Sequence, residues 1–458
     1  MKTIYRTSKY LSIAVSMLLV ASCDKFVEVE LPDSQLNNRA VFDNMTTANA
    51  AMAGLYTKLR STGMFFGSFT GISSRLGLYT DEFDYYQQSP IDQFYTNTLV
   101  ASETGVADIW NQTYNQIYAA NSIIEGVLNS ANLPETGRRQ LRGESLFVRG
   151  LLHLNLLSLY GDIPYVITTD HLENTKIKRM SESKVYDAVI NDLEEAADLL
   201  PETYVTAERV RPNRSAALAI LARTYLYHKQ YTNALNSASA VISNPLYVWE
   251  NDLNKTFLKG STSTIWQFIP NLSTSTTSEA GLYIFLTRPS LIALTPEFVG
   301  AFEAGDKRKV SWVKSVTTGT ETWYHAYKYK QSVVAGNTTE YPIVLRLAEQ
   351  YLIRAEAKLM SGDLEGAKDD INVIRRSAGL NNTAAATTEE LLNEIIKQRR
   401  FELFTEFGQR FFDLKRTGKL DSELKPKKQG WDSNDKFWPI PLKELLANPN
   451  LNPQNPGY

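Results

Sequence analysis

Apolar side chains recur along much of this chain at intervals of three and four. Between Ala107 and Val127 the positions Ile109, Trp110, Tyr114, Ile117, Tyr118, Ile123, Ile124 and Val127 follow that rhythm, which places them on one face of a helix. Arg138 to Leu159 repeats the pattern and stops at Gly161-Asp-Ile-Pro164, where glycine and proline together end a helix. Ser181-Glu-Ser-Lys-Val opens another helix, with Ser181 as its cap, running through Leu200 to Pro201.

The next two helices carry the more specific pattern. Ala217, Leu218, Leu221, Ala222 and Tyr225 share a face, a break follows at His228-Lys-Gln-Tyr231, and Ala234, Leu235, Ala238, Val241 and Ile242 form a second face before Pro245. Ala222 and Ala234 are the small residues that a tight helical hairpin needs where its backbones approach. The arrangement returns at Ala355 and Ala367, with Ser361-Gly-Asp363 as the turn and Ile371 and Ile374 on the second face. A recurring helix-turn-helix unit of about 34 residues with this alternation is the tetratricopeptide pattern. The expected fold is mainly α: a tetratricopeptide-like helical-hairpin scaffold, with repeats at about 107–243 and 344–377.

Two segments break the rhythm. Residues 62–104 hold Phe65, Phe66, Phe69, Tyr79, Phe83, Tyr85, Tyr86, Phe94 and Tyr95 among many Gly, Ser and Thr. Residues 244–343 hold Trp249, Trp266, Trp312 and the run Trp323-Tyr-His-Ala-Tyr-Lys-Tyr329. Long irregular insertions in a compact domain are usually functional. A few short strands are expected within them, one over Ser263-Thr-Ile-Trp-Gln-Phe-Ile269.

The N-terminus says where the chain is sent. Lys2, Arg6 and Lys9 precede the apolar run Leu11–Val20, followed by Ala21-Ser22-Cys23-Asp24, the basic, apolar and small-residue layout of an export signal. Small residues directly before a cysteine suit lipoprotein processing, in which the Cys23 thiol takes a diacylglycerol and the cysteine becomes the new N-terminus. Several palmitate-like acyl chains, at roughly 0.8 kcal/mol per buried CH₂, hold such a product to a membrane. The expected organisation is a signal peptide at 1–22, a lipidated tether at 23–38 and a single domain at 39–458. No later stretch reaches the roughly 20 consecutive apolar residues of a span.

Charge and composition remove other classes. The formal net charge is −2, with no basic footprint for nucleic acid. One Cys and four scattered His do not make a zinc cluster, so neither a metal nor a cofactor is expected.

At this point the chain resembles the SusD/RagB family of nutrient-capturing outer-membrane lipoproteins. The segment carrying most of the resemblance is Arg399-Arg-Phe-Glu-Leu-Phe-Thr-Glu-Phe-Gly-Gln-Arg-Phe-Phe-Asp-Leu-Lys-Arg416. Tyr351-Leu-Ile-Arg-Ala-Glu-Ala357, Tyr160-Gly-Asp-Ile-Pro164, Arg211-Pro-Asn-Arg-Ser-Ala-Ala217, Trp438-Pro-Ile-Pro441 and the ending Asn448–Tyr458 support it. Gln398 departs from the acidic residue that many members carry there. The resemblance implies tetratricopeptide units supporting an irregular ligand-binding face. It also implies attachment at the outer membrane, exposed on the cell surface, and a SusC-like TonB-dependent transporter that the lipoprotein covers as a hinged lid.

Read as chemistry, Glu402 and Glu406 fall one turn apart if residues 399–416 form a single helix, as do Glu406 and Arg410, so opposite charges there pair. Glycoside hydrolysis needs carboxylates on opposite sides of a scissile bond, which adjacent turns of one helix do not supply. Asp81, Glu82 and Asp84 offer acid/base groups in the first insertion, but carboxylates in a sugar-binding loop accept hydroxyl hydrogen bonds equally well. No nucleophile elbow, zinc-protease pair or phosphate loop is present. The expected protein is therefore not an enzyme.

Flat rings suit a different task. A sugar presents an apolar C–H face, which Trp and Tyr cover at low entropic cost, and an edge of hydroxyls, which Arg, Asn and Asp meet. Candidate ligand residues from the first insertion are Tyr85, Tyr86 and Tyr95, with Arg75, Asp81 and Asn97 as polar partners. From the second come Trp266, Tyr283, Trp312, Trp323 and Tyr324. The expected function is capture of oligosaccharide for delivery to a transporter. A peptide- or protein-binding uptake lipoprotein is the alternative, because tetratricopeptide grooves hold peptides; a surface glycosidase is the third.

Overall fold

The computed structural model describes residues 38–458 apart from 88, 89 and 91. The signal segment, Cys23 and the tether up to residue 37 lie outside the described residues. Among the described residues, no helix is long and apolar enough to cross a membrane.

The apolar stripes become helices where predicted. We number the principal ones α1 (Met45–Ser61), α2 (Ile72–Tyr79), α3 (Thr104–Asn129), α4 (Glu135–Tyr160), α5 (Glu182–Leu199), α6 (Arg214–Tyr227), α7 (Tyr231–Ile242), α8 (Leu347–Met360), α9 (Leu364–Ser377), α10 (Thr388–Leu403) and α11 (Gln409–Arg416). Their ends follow local chemistry. Asn44 accepts from the amides of Thr46 and Thr47 at the start of α1, and Thr387 with Glu390 forms a reciprocal capping box on α10. Asn213 accepts from the amide of Ala216 at 3.1 Å to cap α6. Ser181 sits at the head of α5, but its hydroxyl oxygen accepts no helix amide; the first amide, of Glu182, donates instead to Asp162 at 2.9 Å. Gly161, with φ +71°, ends α4 where a Cβ would meet the Phe437 ring at 2.8 Å.

Packing is sequential: α3 lies on α4, α4 on α5, α5 on α6, α6 on α7, and α8 on both α9 and α10. Ala222, Ala234, Ala355 and Ala367 are fully buried in the hairpin contacts, as their spacing predicts. α7 also packs on α8, although the second insertion separates them in sequence. The stack therefore continues across the point where that insertion leaves and returns.

Among the described residues, six short strands, β1 (Phe83–Tyr85), β2 (Thr264–Gln267), β3 (Ile292–Leu294), β4 (Val313–Thr318), β5 (Glu321–Ala326) and β6 (Ile343–Arg346), lie in or beside the insertions. One sheet has the order β1-β3-β5-β4 and the other pairs β2 with β6. β1 and β3 run antiparallel with Phe83 opposite Leu294 and Tyr85 opposite Ile292. This sheet joins the first insertion to the second.

Residues 399–416 are not one helix. α10 stops at Leu403, and Thr405, Phe407 and Gly408 all take positive φ (61°, 48° and 73°) before α11 begins. Such a backbone is costly for non-glycine residues, and buried groups hold it in place. The Lys328 ammonium donates to the carbonyls of Glu402 and Phe404, each at 2.8 Å, and Ser73 Oγ accepts the Phe407 amide at 2.9 Å. The expected pairing of Glu406 with Arg410 is therefore absent. Glu406 meets Arg346 at 2.8 Å and Lys328 at 2.5 Å, while Glu402 meets Arg346 at 2.6 Å and Arg308 at 3.2 Å.

Candidate ligand-binding site

Three segments of the first insertion converge on a set of half-buried rings. Asp92 caps the short helix Gln93–Thr96, its Oδ1 accepting from the amides of Phe94 and Tyr95 at 2.9 and 3.2 Å. Its other oxygen receives Arg75 of α2 at 2.6 Å. The Arg75 guanidinium lies between two rings, 4.6 Å from the centroid of Phe69 and 4.5 Å from that of Phe94.

Tyr85, at the end of β1, stacks on Phe69 at 6.1 Å and leans on Tyr95 at the same separation. The Tyr95 hydroxyl bonds to Asp84, and the Lys428 ammonium sits 4.3 Å over the Tyr95 ring. Burial brings Lys428 down to about 8, against the pull of Asp84, Asp81 and Asp92. Tyr86 continues the strand, its amide donating to the Leu291 carbonyl at 2.8 Å. Its hydroxyl lies within the electrostatic reach of Asp84, Tyr95, Arg288 and Glu321.

Phe69, Tyr85, Tyr95 and Tyr86 together form a partly exposed shelf rimmed by both signs of charge. Its chemistry suits a neutral polar ligand with flat apolar faces: the rings cover the faces, while Asp84, Lys428 and Arg288 meet hydroxyls.

The structure brings together only part of the expected set. Tyr85, Tyr86, Tyr95 and the β5 residue Tyr324 remain half-buried. The others are turned inward. Arg75 serves the shelf from beneath, held by Asp92 and two rings. Asp81 is an ion-pair hub, meeting Arg400 at 2.8 Å, Arg410 at 3.0 Å and Lys427 at 2.7 Å. Burial alone would raise its pKa, yet Arg410 and Arg400 hold it well below the usual carboxylate range. Asn97 takes the left-handed conformation that ends its helix and donates to the Tyr79 carbonyl at 3.0 Å.

The tryptophans chosen from the second insertion are core. Trp266 is completely buried against Phe147, Tyr56 and Phe268, its indole donating to the Val210 carbonyl at 3.2 Å. Trp312 is likewise buried and donates to the Leu253 carbonyl at 2.9 Å. Tyr283 stacks on Phe83 at 5.4 Å, and Trp323 is 7% exposed within β5. An insertion this rich in rings packs most of them beneath its own strands, because that burial is what orders it.

Sequence reasoning passed over Phe69, Lys428 and Arg288 as shelf residues. Phe69 belonged to the ring-rich first insertion and could have been chosen from it. Lys428 arrives from the far end of the chain, inside a basic run with no local signature of a site.

The sequence model of the family described as "Starch-binding associating with outer membrane" matches residues 25–226, and that of the SusD family matches residues 295–458. The chain belongs to the SusD/RagB family. Among curated relatives of this family, SusD-like protein P2 of Formosa agariphila is 29% identical, the match covering 97% of this chain and 98% of that protein. Among solved structures of the same superfamily, a SusD superfamily protein from Bacteroides vulgatus superposes with a TM-score of 0.79 at 24% identity, covering 91% of this chain and all of that one. Surface glycan-binding protein A from Bacteroides thetaiotaomicron, solved in complex with laminarihexaose, gives a TM-score of 0.75 at 19% identity, covering 90% of this chain and 99% of that one. At such identities these structures establish the SusD-like fold alone.

Proposed function

We propose that this protein is a surface glycan-binding lipoprotein that captures oligosaccharide and passes it to a SusC-like TonB-dependent transporter in the outer membrane. The observation that carries this reading is the shelf of Phe69, Tyr85, Tyr86 and Tyr95. It offers planar rings to a ligand beside hydrogen-bonding groups of both signs. The laminarihexaose complex of a protein with the same fold supports the ligand class. Export and anchoring rest on the sequence around Cys23, followed by a tether through residue 38 and one domain over 39–458. The two insertions are the ligand-bearing parts.

Capture proceeds without covalent chemistry. Most of the carboxylates that invite a catalytic reading are already engaged: Glu402 and Glu406 by Arg346, Arg308 and Lys328, Asp81 by Arg400, Arg410 and Lys427, and Asp84 by the Tyr95 hydroxyl, while Glu82 is buried out of a ligand's reach. A general acid or base needs freedom to exchange its proton with substrate. A carrier also needs only modest affinity, since it must release what it holds, and a micromolar constant corresponds to about −8 kcal/mol.

The test is oligosaccharide-array screening followed by calorimetry, on protein lacking residues 1–23. Micromolar binding of at least one glycan, with the glycan recovered intact, is the expected result. Peptide binding in the absence of any glycan binding would replace this reading with that of a peptide carrier, and cleaved products would replace it with that of a glycosidase.

A further inference from the structure

A second concave surface lies apart from the shelf and shares no residue with it. A groove of about 620 Å³ runs along the first half of α3, between the segment 164–177 and the C-terminal residues 444–451. That volume is in the range of small-ligand sites. Trp110, Tyr114 and Tyr118 line it at successive turns of α3, about 6 Å apart at 1.5 Å rise per residue. This step is close to the length of one pyranose ring.

The three rings are graded in depth. Trp110 is buried at the base, with Tyr114 packed on it at 4.8 Å. Tyr114 is fixed by donating its hydroxyl to the Pro164 carbonyl at 2.9 Å. Tyr118 stands 52% exposed at the rim.

Polar groups meet these rings in a specific way. Asn111 and Asn115, one turn apart and both exposed, form a second row beside the aromatic one. Across the groove, Asn174 donates to the Thr168 carbonyl at 2.9 Å, while its own Oδ1 is buried without a hydrogen-bond partner. Glu444 closes one side; burial raises its pKa, and among the described residues no cation reaches its carboxylate.

Amides offer both donors and acceptors, and an unpaired carboxylate accepts hydroxyl hydrogens but repels anions. We propose that this groove is a second saccharide site, specific for a short neutral oligosaccharide laid along Tyr114 and Tyr118, with the buried Trp110 supporting Tyr114 from beneath. Only the class of ligand rests on the glycan-capture reading; the site itself is independent of the shelf. A uronic-acid oligomer is disfavoured by Glu444.

The test is calorimetric titration of the protein lacking residues 1–23 with laminarihexaose, maltohexaose, xylohexaose and a galacturonic-acid hexamer. Three proteins are compared: wild type, a groove variant carrying Asn115→Ala and Tyr118→Ala, and a shelf variant carrying Tyr85→Ala and Tyr95→Ala. Both residues changed in the groove variant are exposed, so its unfolding midpoint serves as a fold control. At least one neutral hexasaccharide is expected to fill two sites on the wild type, one of them weakened 10-fold or more in each variant, and the uronic-acid oligomer is not expected to bind the groove. A single site lost in the shelf variant and unmoved in the groove variant overturns the groove and leaves the shelf reading standing. A single site weakened only in the groove variant supports the groove and overturns the shelf. No binding of any neutral hexasaccharide overturns the groove, and the shelf reading falls with it if the array also finds no glycan ligand; groove binding confined to the galacturonic-acid hexamer overturns the specificity for neutral sugars.

Discussion

Arg75 and Asp92 form an ion pair at 2.6 Å that reaches the ligand shelf from below. One carboxylate oxygen of Asp92 takes the guanidinium, and the other caps the short helix that presents Tyr95. Replacing Asp92 with alanine therefore removes a cap, worth about 1 kcal/mol, and frees the cation lying between Phe69 and Phe94. The expected outcome of Asp92→Ala is a stability loss of about 1–3 kcal/mol by urea denaturation, with weaker oligosaccharide binding by calorimetry.

Tyr85 and Tyr95 separate affinity from stability. Both rings are half-buried and touch each other at their edges, so single truncation leaves the core intact. Loss of one stacking surface corresponds to about 1 kcal/mol or slightly more. Tyr95→Ala is expected to weaken glycan binding roughly 5- to 10-fold while the unfolding midpoint changes little. Equal losses in stability and affinity would instead mark the ring as structural.

Two buried carboxyls give the protein a measurable dependence on pH. Burial pushes Glu279 up to about 7, and burial together with the Asp81 charge does the same to Glu82. The folded chain keeps these protons where the unfolded chain, with carboxyls near 4.3, has released them. Their contribution to stability is therefore complete below about pH 4 and is lost as pH rises through about 7. Glu279→Gln is expected to raise the unfolding midpoint at pH 8 and leave it nearly unchanged at pH 4. Thermal denaturation at the two pH values checks this; an unchanged midpoint at pH 8 contradicts it.

Arg346 is the cation that Glu402 and Glu406 share. Arg346→Met leaves two buried carboxylates short of a partner, and breaking buried pairs of this kind costs about 3–5 kcal/mol. The helix break between α10 and α11 depends on the same groups, so cooperative unfolding at lower urea is expected. A loss below 1 kcal/mol would show that Lys328 and Arg308 suffice.

Much of the scaffold was legible because its signals are local. Alanines at 222, 234, 355 and 367 mark backbone approach wherever they occur, and a period of three to four residues needs no knowledge of the rest of the chain. The segment 399–416 misled for the same reason. Its residues favour helix locally, and the positive φ values at Thr405 and Phe407 are imposed by Ser73, Lys328 and Arg346 from elsewhere in the fold.

The candidate site was legible only in part. Tyr85, Tyr86 and Tyr95 stood out as candidates because they cluster in an irregular segment, and the structure leaves them half-buried. Trp266 and Trp312 share that composition but pack inward, and composition does not record which side of a strand faces solvent. The rings of α3 posed the opposite problem. Trp110, Tyr114 and Tyr118 read as core at helical spacing, and only the exposed asparagines beside them mark a surface.

Because α7 lies directly on α8, the polypeptide between them is stitched to the helical stack at neighbouring points. The exposed stretches of such a segment can lengthen or shorten over generations while Trp266, Arg308 and Lys328 keep the rest of it bound to the helices. Change confined to those stretches would redraw the outer surface of the protein and leave the helices beneath it as they are.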